Sequence, residues 1–233
     1  MKKNAFRIAC VFVAIFAVWF SFNLHTYIRR RLDAHESARQ AEIMREIFSV
    51  EDMRFATRND EIVARIFVPG TAINYIVVHG KDNEFYLSHD MFREPNENGS
   101  IFLDYANDPC FTNRNTIIYG HNRDNGTKFH DLQLFQNGEF FNDNSTIFIT
   151  TQENLLQYEI FAVFTAHMTF NYIQVDFPDD DAFLSLMNEI KDRAMHSREI
   201  EISACDRVLI LSTCTNIGPT GRLVVVGRLI NGM

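Results

Sequence analysis

Eight short apolar runs decide what this chain can fold into. They lie at 62–68, 73–78, 101–105, 116–119, 145–150, 158–165, 208–213 and 223–229, and are rich in isoleucine, valine, phenylalanine and threonine. β-Branched and aromatic residues in runs this short, separated by turn-forming or polar residues such as Pro69-Gly70, form strands. One segment breaks the pattern. Asp179-Asp180-Asp181 supplies a capping carboxylate and an anionic first turn, and Phe183, Leu186, Met187, Ile190 and Ala194 then recur at helical spacing. The prediction is a mainly β domain, an eight-stranded closed or nearly closed barrel with a long helix between strands six and seven. An apolar fraction of 46% with 22 phenylalanines is enough for one large core.

The first fifty residues have a different character. Residues 8–24 carry no charge, and extended to Ile28 they would form a helix of about 20 residues and about 30 Å, enough to span a bilayer. Lys2, Lys3 and Arg7 precede this run and no small-x-small cleavage site follows, which predicts an uncleaved signal anchor over 1–28. Arg29, Arg30 and Arg31 beyond it blunt the positive-inside asymmetry, so charge alone does not orient it. Residues 29–50 are rich in helix formers and contain neither glycine nor proline. Leu32, Ile43, Met44, Ile47 and Phe48 give them an apolar stripe, predicting a helical stalk that leads into a domain over 51–233.

Net charge of −8 disfavours nucleic acid as a partner, because nothing broad and basic is available to neutralise phosphates. The four cysteines, Cys10, Cys110, Cys205 and Cys214, show no spacing suited to zinc, and no metal or cofactor is expected. Three of them fall in the domain, so in an oxidising compartment at least one stays unpaired and is a candidate nucleophile. Cys214 has the right position. It ends the apolar run Val208-Leu209-Ile210-Leu211 after two hydroxyl residues, and eight positions on Arg222 opens the next run. A thiol and a guanidinium at adjacent strand ends could attack a carbonyl and steady its oxygen. The competing reading is a buried structural cysteine. A nucleophilic cysteine needs a histidine, and the domain offers His79, His89, His121, His130, His167 and His196. His121 stands apart, following an apolar strand and a glycine that permits either close backbone approach or positive φ.

These residues carry a family resemblance. IIYGHN, LSTCT and the downstream Arg222 resemble the sortases, cysteine transpeptidases of Gram-positive bacterial surfaces. KDNEFYLSHD (81–90), GSIFLDYAN (99–107) and NTIIYGHN (115–122) resemble class B in particular, as do a helical region before the barrel and the long helix between its sixth and seventh strands. The likeness runs from about 45 to 230. Ile76 departs from it, standing where class B relatives more often have proline, and the connection from Thr215 to Gly221 matches no recognisable substrate preference. The resemblance implies a sortase-type barrel with His121, Cys214 and Arg222 as its catalytic triad. It further implies that Ser212, Asn83, Leu87, Tyr172 and Ile173 line the groove for the sorting signal, although core packing would equally explain Leu87, Tyr172 and Ile173. The implied reaction cuts a C-terminal sorting signal after threonine, forms a thioacyl intermediate and passes the protein to a cell-wall peptidoglycan amine. Partners would be sorting-signal-bearing surface proteins, the peptidoglycan amine and, through the N-terminal helix, the cytoplasmic membrane. Both substrates lie outside that membrane, which places the catalytic domain outside a single-pass anchor. The alternatives are a pilus-polymerising sortase using a pilin lysine and a catalytically silent membrane-tethered binding domain. L,D-type transpeptidases place a glycine immediately before the cysteine, and papain-like hydrolases place the cysteine before the histidine, so neither fits.

Overall fold

A computed structural model describes residues 16, 19–21, 23, 24, 26 and 27, then 58–167, 169–214 and 221–232, with Cys214 given by its backbone alone. The chain divides into two units, Met1–Met44 and Arg45–Met233. In the first, the described positions are helical, and Phe16 packs against Trp19 and Phe20 at 5.9 and 6.3 Å between ring centroids. Among the described residues no helix is long and apolar enough to cross a membrane. Most of the anchor expected over 1–28, all of the stalk over 29–50 and the connection 215–220 lie outside the described residues.

The second unit is a barrel. Its strands are β1 (Ile62–Phe67), β2 (Asn74–His79), β3 (Ile101–Leu103), β4 (Asn115–Tyr119), β5 (Thr146–Thr150), β6 (Leu155–Ala166), β8 (Val208–Cys214) and β9 (Arg222–Gly232). They run β5-β1-β2-β3-β4-β8-β9-β6, and β6 pairs back onto β5 to close the ring. All eight predicted strands are present. A ninth, β7 (His196–Ser197), pairs with β6 outside the ring and is too short to leave a sequence pattern. The third strand stops at Leu103 rather than Tyr105 because the Asp104 side chain accepts from the Ala106 backbone N–H, at 2.9 Å, and turns the chain. Two pairings are parallel, β2 with β3 and β4 with β8.

Strand β8 is buried on both faces, which explains its unbroken apolar run. Leu209 and Leu211 join the barrel interior with Ala64, Ile66, Ile149 and Val225. Val208 and Ile210 turn outward under the long helix α2 (Asp180–Arg193), against Phe183, Leu186, Met187 and Ile190. A shorter helix, α1 (Gly138–Asp143), precedes β5. The Asp179 carboxylate caps α2 by accepting from the Ala182 N–H at 2.8 Å. Asp180 and Asp181 occupy its first turn and Lys191 and Arg193 its last, in the sense the helix dipole favours.

Two substitutions separate these contributions. Phe183→Ala empties a fully buried site beneath α2 and should cost about 3–5 kcal/mol. Asp179→Ala removes only the cap and should cost about 1 kcal/mol. Urea unfolding of both variants, compared at equal m-value, measures the difference.

Candidate active site

Register brings the three sequence candidates to one level. Tyr119 is paired with Ser212 at the end of the parallel β4–β8 ladder, and the Gly120 N–H continues it by donating to the Ser212 carbonyl at 3.2 Å. His121 lies two residues past Tyr119, just beyond the end of β4, and Cys214 lies two past Ser212, at the end of β8. Across the antiparallel β8–β9 ladder Cys214 is paired with Arg222. His121, Cys214 and Arg222 therefore stand in a row across three neighbouring strand ends.

His121 is held from three sides. Gly120 has no positive φ, so close approach is its purpose: an added Cβ would lie 2.4 Å from Ile101 Cδ1 and 2.8 Å from the Phe129 ring. Phe129 N–H donates to the His121 carbonyl at 2.9 Å. The ring donates from Nε2 to the Leu87 carbonyl at 2.8 Å. A carbonyl only accepts, so in the neutral ring the hydrogen sits on Nε2 and the lone pair on Nδ1. Burial pushes the His121 pKa below the ordinary histidine value; the Leu87 carbonyl opposes this, while Arg123, Lys128 and Arg222 reinforce it. Burial and the three cations prevail, and neutral imidazole is the majority form at pH 7.

The Leu87 carbonyl is itself a built feature. It ends a short 3-10 turn, Phe85–Leu87, anchored beneath by fully buried Tyr86. The Tyr86 hydroxyl donates to Glu61 Oε2 at 2.5 Å and accepts from Asn59 Nδ2 at 2.9 Å. Gly99, at φ 58°, lets the chain pass close by; a Cβ there would lie 2.6 Å from the Leu87 oxygen.

Beside this row lies a cleft of about 610 Å³, lined in part by Asn83, Leu87, Tyr119, His121, Tyr172, Ile173 and Arg222. Of the groove residues implied by resemblance, four meet there. Leu87 is 40% and Ile173 41% exposed, so neither is core packing, while Tyr172 is buried with one face on the cleft. Ser212 is fully buried behind the wall, with its hydroxyl hydrogen-bonded to the Tyr172 hydroxyl at 2.8 Å. Two contributors were not singled out from the sequence. Fully buried Asn115 donates to the Tyr172 and Gln174 carbonyls at 3.0 and 2.8 Å, clamping the backbone on both sides of Ile173. His167, one residue past the Ala166–Arg222 pair, lines the cleft on the far side of Arg222.

The other histidines are engaged elsewhere. His79 meets the Tyr105 carbonyl, His89 the Phe85 carbonyl, His130 Asn122 Oδ1, and His196 the Gln136 carbonyl. Asn122 also accepts from Gln133 Nε2, so its side chain braces its own loop rather than the His121 ring. Cys110 and Cys205 are free and exposed. Among the described residues no group of three His, Cys, Asp or Glu side chains could hold a metal ion.

Comparison with known proteins gives a consistent picture. A sortase-domain family profile matches residues 66–230. Sortase B of Listeria monocytogenes is 33% identical over 174 residues, covering 74% of this chain and 71% of that protein. The structure of Clostridium perfringens sortase B superposes with TM-score 0.74 at 31% identity, covering 78% of this chain and all of that one. A Staphylococcus aureus sortase B–substrate complex superposes with TM-score 0.75 at 28% identity, covering 87% of this chain and 97% of that one.

The environment of His121 makes two measurable statements. Its NMR titration midpoint should fall below 6.5, and Arg123→Gln or Lys128→Gln should each raise it. Because the folded chain holds this proton less tightly than the unfolded one, the stability involved is present above the ordinary histidine value. It is lost as pH falls from there through the depressed folded value. Gly120→Ala should cost about 1–3 kcal/mol by overpacking against Ile101 and Phe129. It should also move the His121 midpoint as the ring leaves the Leu87 carbonyl, which the same titration detects.

Proposed function

The chain belongs to the sortase family, class B, the cysteine transpeptidases that anchor surface proteins, and from that premise we propose that Cys214, His121 and Arg222 perform the acyl transfer in this cleft. The observation that carries the reading is their common level at the ends of β4, β8 and β9, with His121 and Arg222 lining the cleft.

The Cys214 thiolate attacks the carbonyl carbon that follows the threonine of a C-terminal sorting signal. The carbonyl electrons move onto oxygen, where the Arg222 guanidinium, a permanent cation with a fork of donors, stabilises them. As the tetrahedral intermediate collapses, the C–N bond breaks and protonated His121 gives its proton to the departing amine. A thioacyl enzyme and a neutral imidazole remain. An incoming amine of the peptidoglycan attacks the thioester and loses a proton to His121, and the thiolate leaves. The starting ion pair is restored and a new amide bond has formed. The Asn83, Leu87, Tyr172 and Ile173 walls receive the sorting signal, a role supported by the similarity to a sortase B solved with substrate. The run over 1–28 serves as a membrane anchor and places the barrel outside the membrane, where surface proteins and peptidoglycan meet.

The neutral His121 majority has a kinetic consequence. The reactive thiolate–imidazolium form is then a minor species, and kcat/KM follows a bell whose acid limb tracks the lowered histidine value. The test uses the full-length chain with a panel of threonine-containing sorting-signal peptides, with and without amine acceptors, read by mass spectrometry. The expected results are an acyl adduct on Cys214, its discharge by amine, and loss of both with Cys214→Ala. His121→Ala should lower kcat/KM by about 10²–10⁴. Activity that survives His121→Ala and disappears with His167→Ala would move the base across the cleft and sink the assignment.

A further inference from the structure

Asp104 has no place in the chemistry above, yet it is 4% exposed and tied to two cleft residues. Its Oδ2 accepts from Asn83 Nδ2 and from the Tyr119 hydroxyl, each at 2.9 Å. Its Oδ1 accepts from the Ala106 backbone N–H at 2.9 Å, and Asn83 Oδ1 accepts from the Tyr105 N–H at 3.0 Å. Both side chains that donate to Asp104 line the cleft.

The donor and acceptor rules leave one arrangement. A carboxylate accepts only, so Tyr119 commits its hydroxyl hydrogen to Asp104 and keeps its oxygen lone pairs. Asn83 is fixed from both ends: its oxygen is held by a backbone donor and one of its two N–H groups by the carboxylate, leaving one N–H to give. Burial, with the Asp104 charge beside it, raises the Tyr119 pKa far above the ordinary phenol value, so the donated hydrogen stays in place. We propose that Asp104 is a positioning residue that sets the hydrogen-bond polarity of the cleft, presenting Asn83 as a donor and Tyr119 as an acceptor to the backbone of an extended sorting peptide. An extended peptide carries one carbonyl and one N–H per residue and can satisfy both at once. The proposal rests on the reading of this cleft as the sorting-signal site.

An amide at position 104 cannot do the same. With its oxygen toward Tyr119 and Asn83, its NH₂ would face the Ala106 N–H, two donors in opposition. With its NH₂ toward them, Tyr119 must accept and Asn83 must flip, which turns the Asn83 NH₂ against the Tyr105 N–H. The conflict passes from the buried carboxylate to the cleft in either case.

The experiment is steady-state cleavage by the full-length chain of a fluorogenic threonine-containing peptide. Asp104→Asn should raise KM at least tenfold with kcat within threefold of wild type, and one tyrosine should ionise at lower pH in an ultraviolet difference titration. On an Asn83→Ala/Tyr119→Phe background, Asp104→Asn should raise KM no further. An Asp104→Asn KM within twofold of wild type overturns the proposal, and so does an equal rise on both backgrounds, which would mark a purely structural role. If Asp104→Asn fails to fold by near-ultraviolet circular dichroism, the Asn83→Ala/Tyr119→Phe chain decides: a tenfold rise in KM supports the proposal and an unchanged KM refutes it. A wild-type chain that cleaves no threonine peptide sinks the functional reading and the proposal together, whereas an active wild type with an inert Asp104→Asn sinks the proposal alone.

Discussion

The pairing register of β8 is the constraint on which the rest of this molecule depends. One neighbour is parallel and the other antiparallel, so β8 alone brings the level of His121, just past β4, to that of Arg222 on β9. A slip of one residue would exchange the two faces of the strand. Leu209 and Leu211 would leave the barrel interior, and Val208 and Ile210 would leave the cover of α2. Both faces are packed, so such a slip would disrupt two cores at once. The apolar contacts of α2 thus help hold the register that aligns the three proposed catalytic residues.

That architecture also sets the electrostatics. A histidine at a strand end, half sunk in the barrel mouth and near Arg123, Lys128 and Arg222, favours its neutral form. Its bond to the Leu87 carbonyl pulls the other way and is the weaker influence. The same carbonyl fixes the ring's orientation and tautomer, so one contact restores a little basicity and sets position. The arrangement suits the role proposed for His121, which gives a proton to one amine and takes a proton from another within one cycle.

The elements legible in the sequence were those with local patterns. Strands buried on both faces leave contiguous apolar runs, and α2 announces itself with Asp179-Asp180-Asp181 followed by a helical stripe. Cys214, His121 and Arg222 could be singled out as candidates because each sits at the edge of such a run. Their supports were not, because those bonds join distant positions: Leu87 to His121 across 34 residues, Asn115 to Tyr172 across 57. An asparagine beginning an apolar strand, or a glycine in a loop like Gly99, looks ordinary until its partner is placed. Gly120 falls between these cases. The sequence allowed either positive φ or close approach, and only the positions of Ile101 and Phe129 choose the second.

The division between apolar and polar burial follows function. The barrel interior is filled by aliphatic and aromatic side chains that fit by shape and tolerate modest repacking. Around the cleft the buried groups are Asn115, Asp104 and Ser212, each joined by hydrogen bonds to residues that face the cavity. A buried polar group stripped of its partner costs about 1–3 kcal/mol, so these groups are poor fillers. They do what apolar packing cannot, because a hydrogen bond fixes direction as well as distance. Asn115 sets the backbone on either side of Ile173, Ser212 holds the Tyr172 hydroxyl, and Asp104 decides which atoms of Asn83 and Tyr119 are left uncommitted beside the cleft. A transpeptidase must hold one acyl group still while two different amines depart and arrive. Walls oriented by directional bonds, set in a barrel whose register cannot slip, meet that requirement.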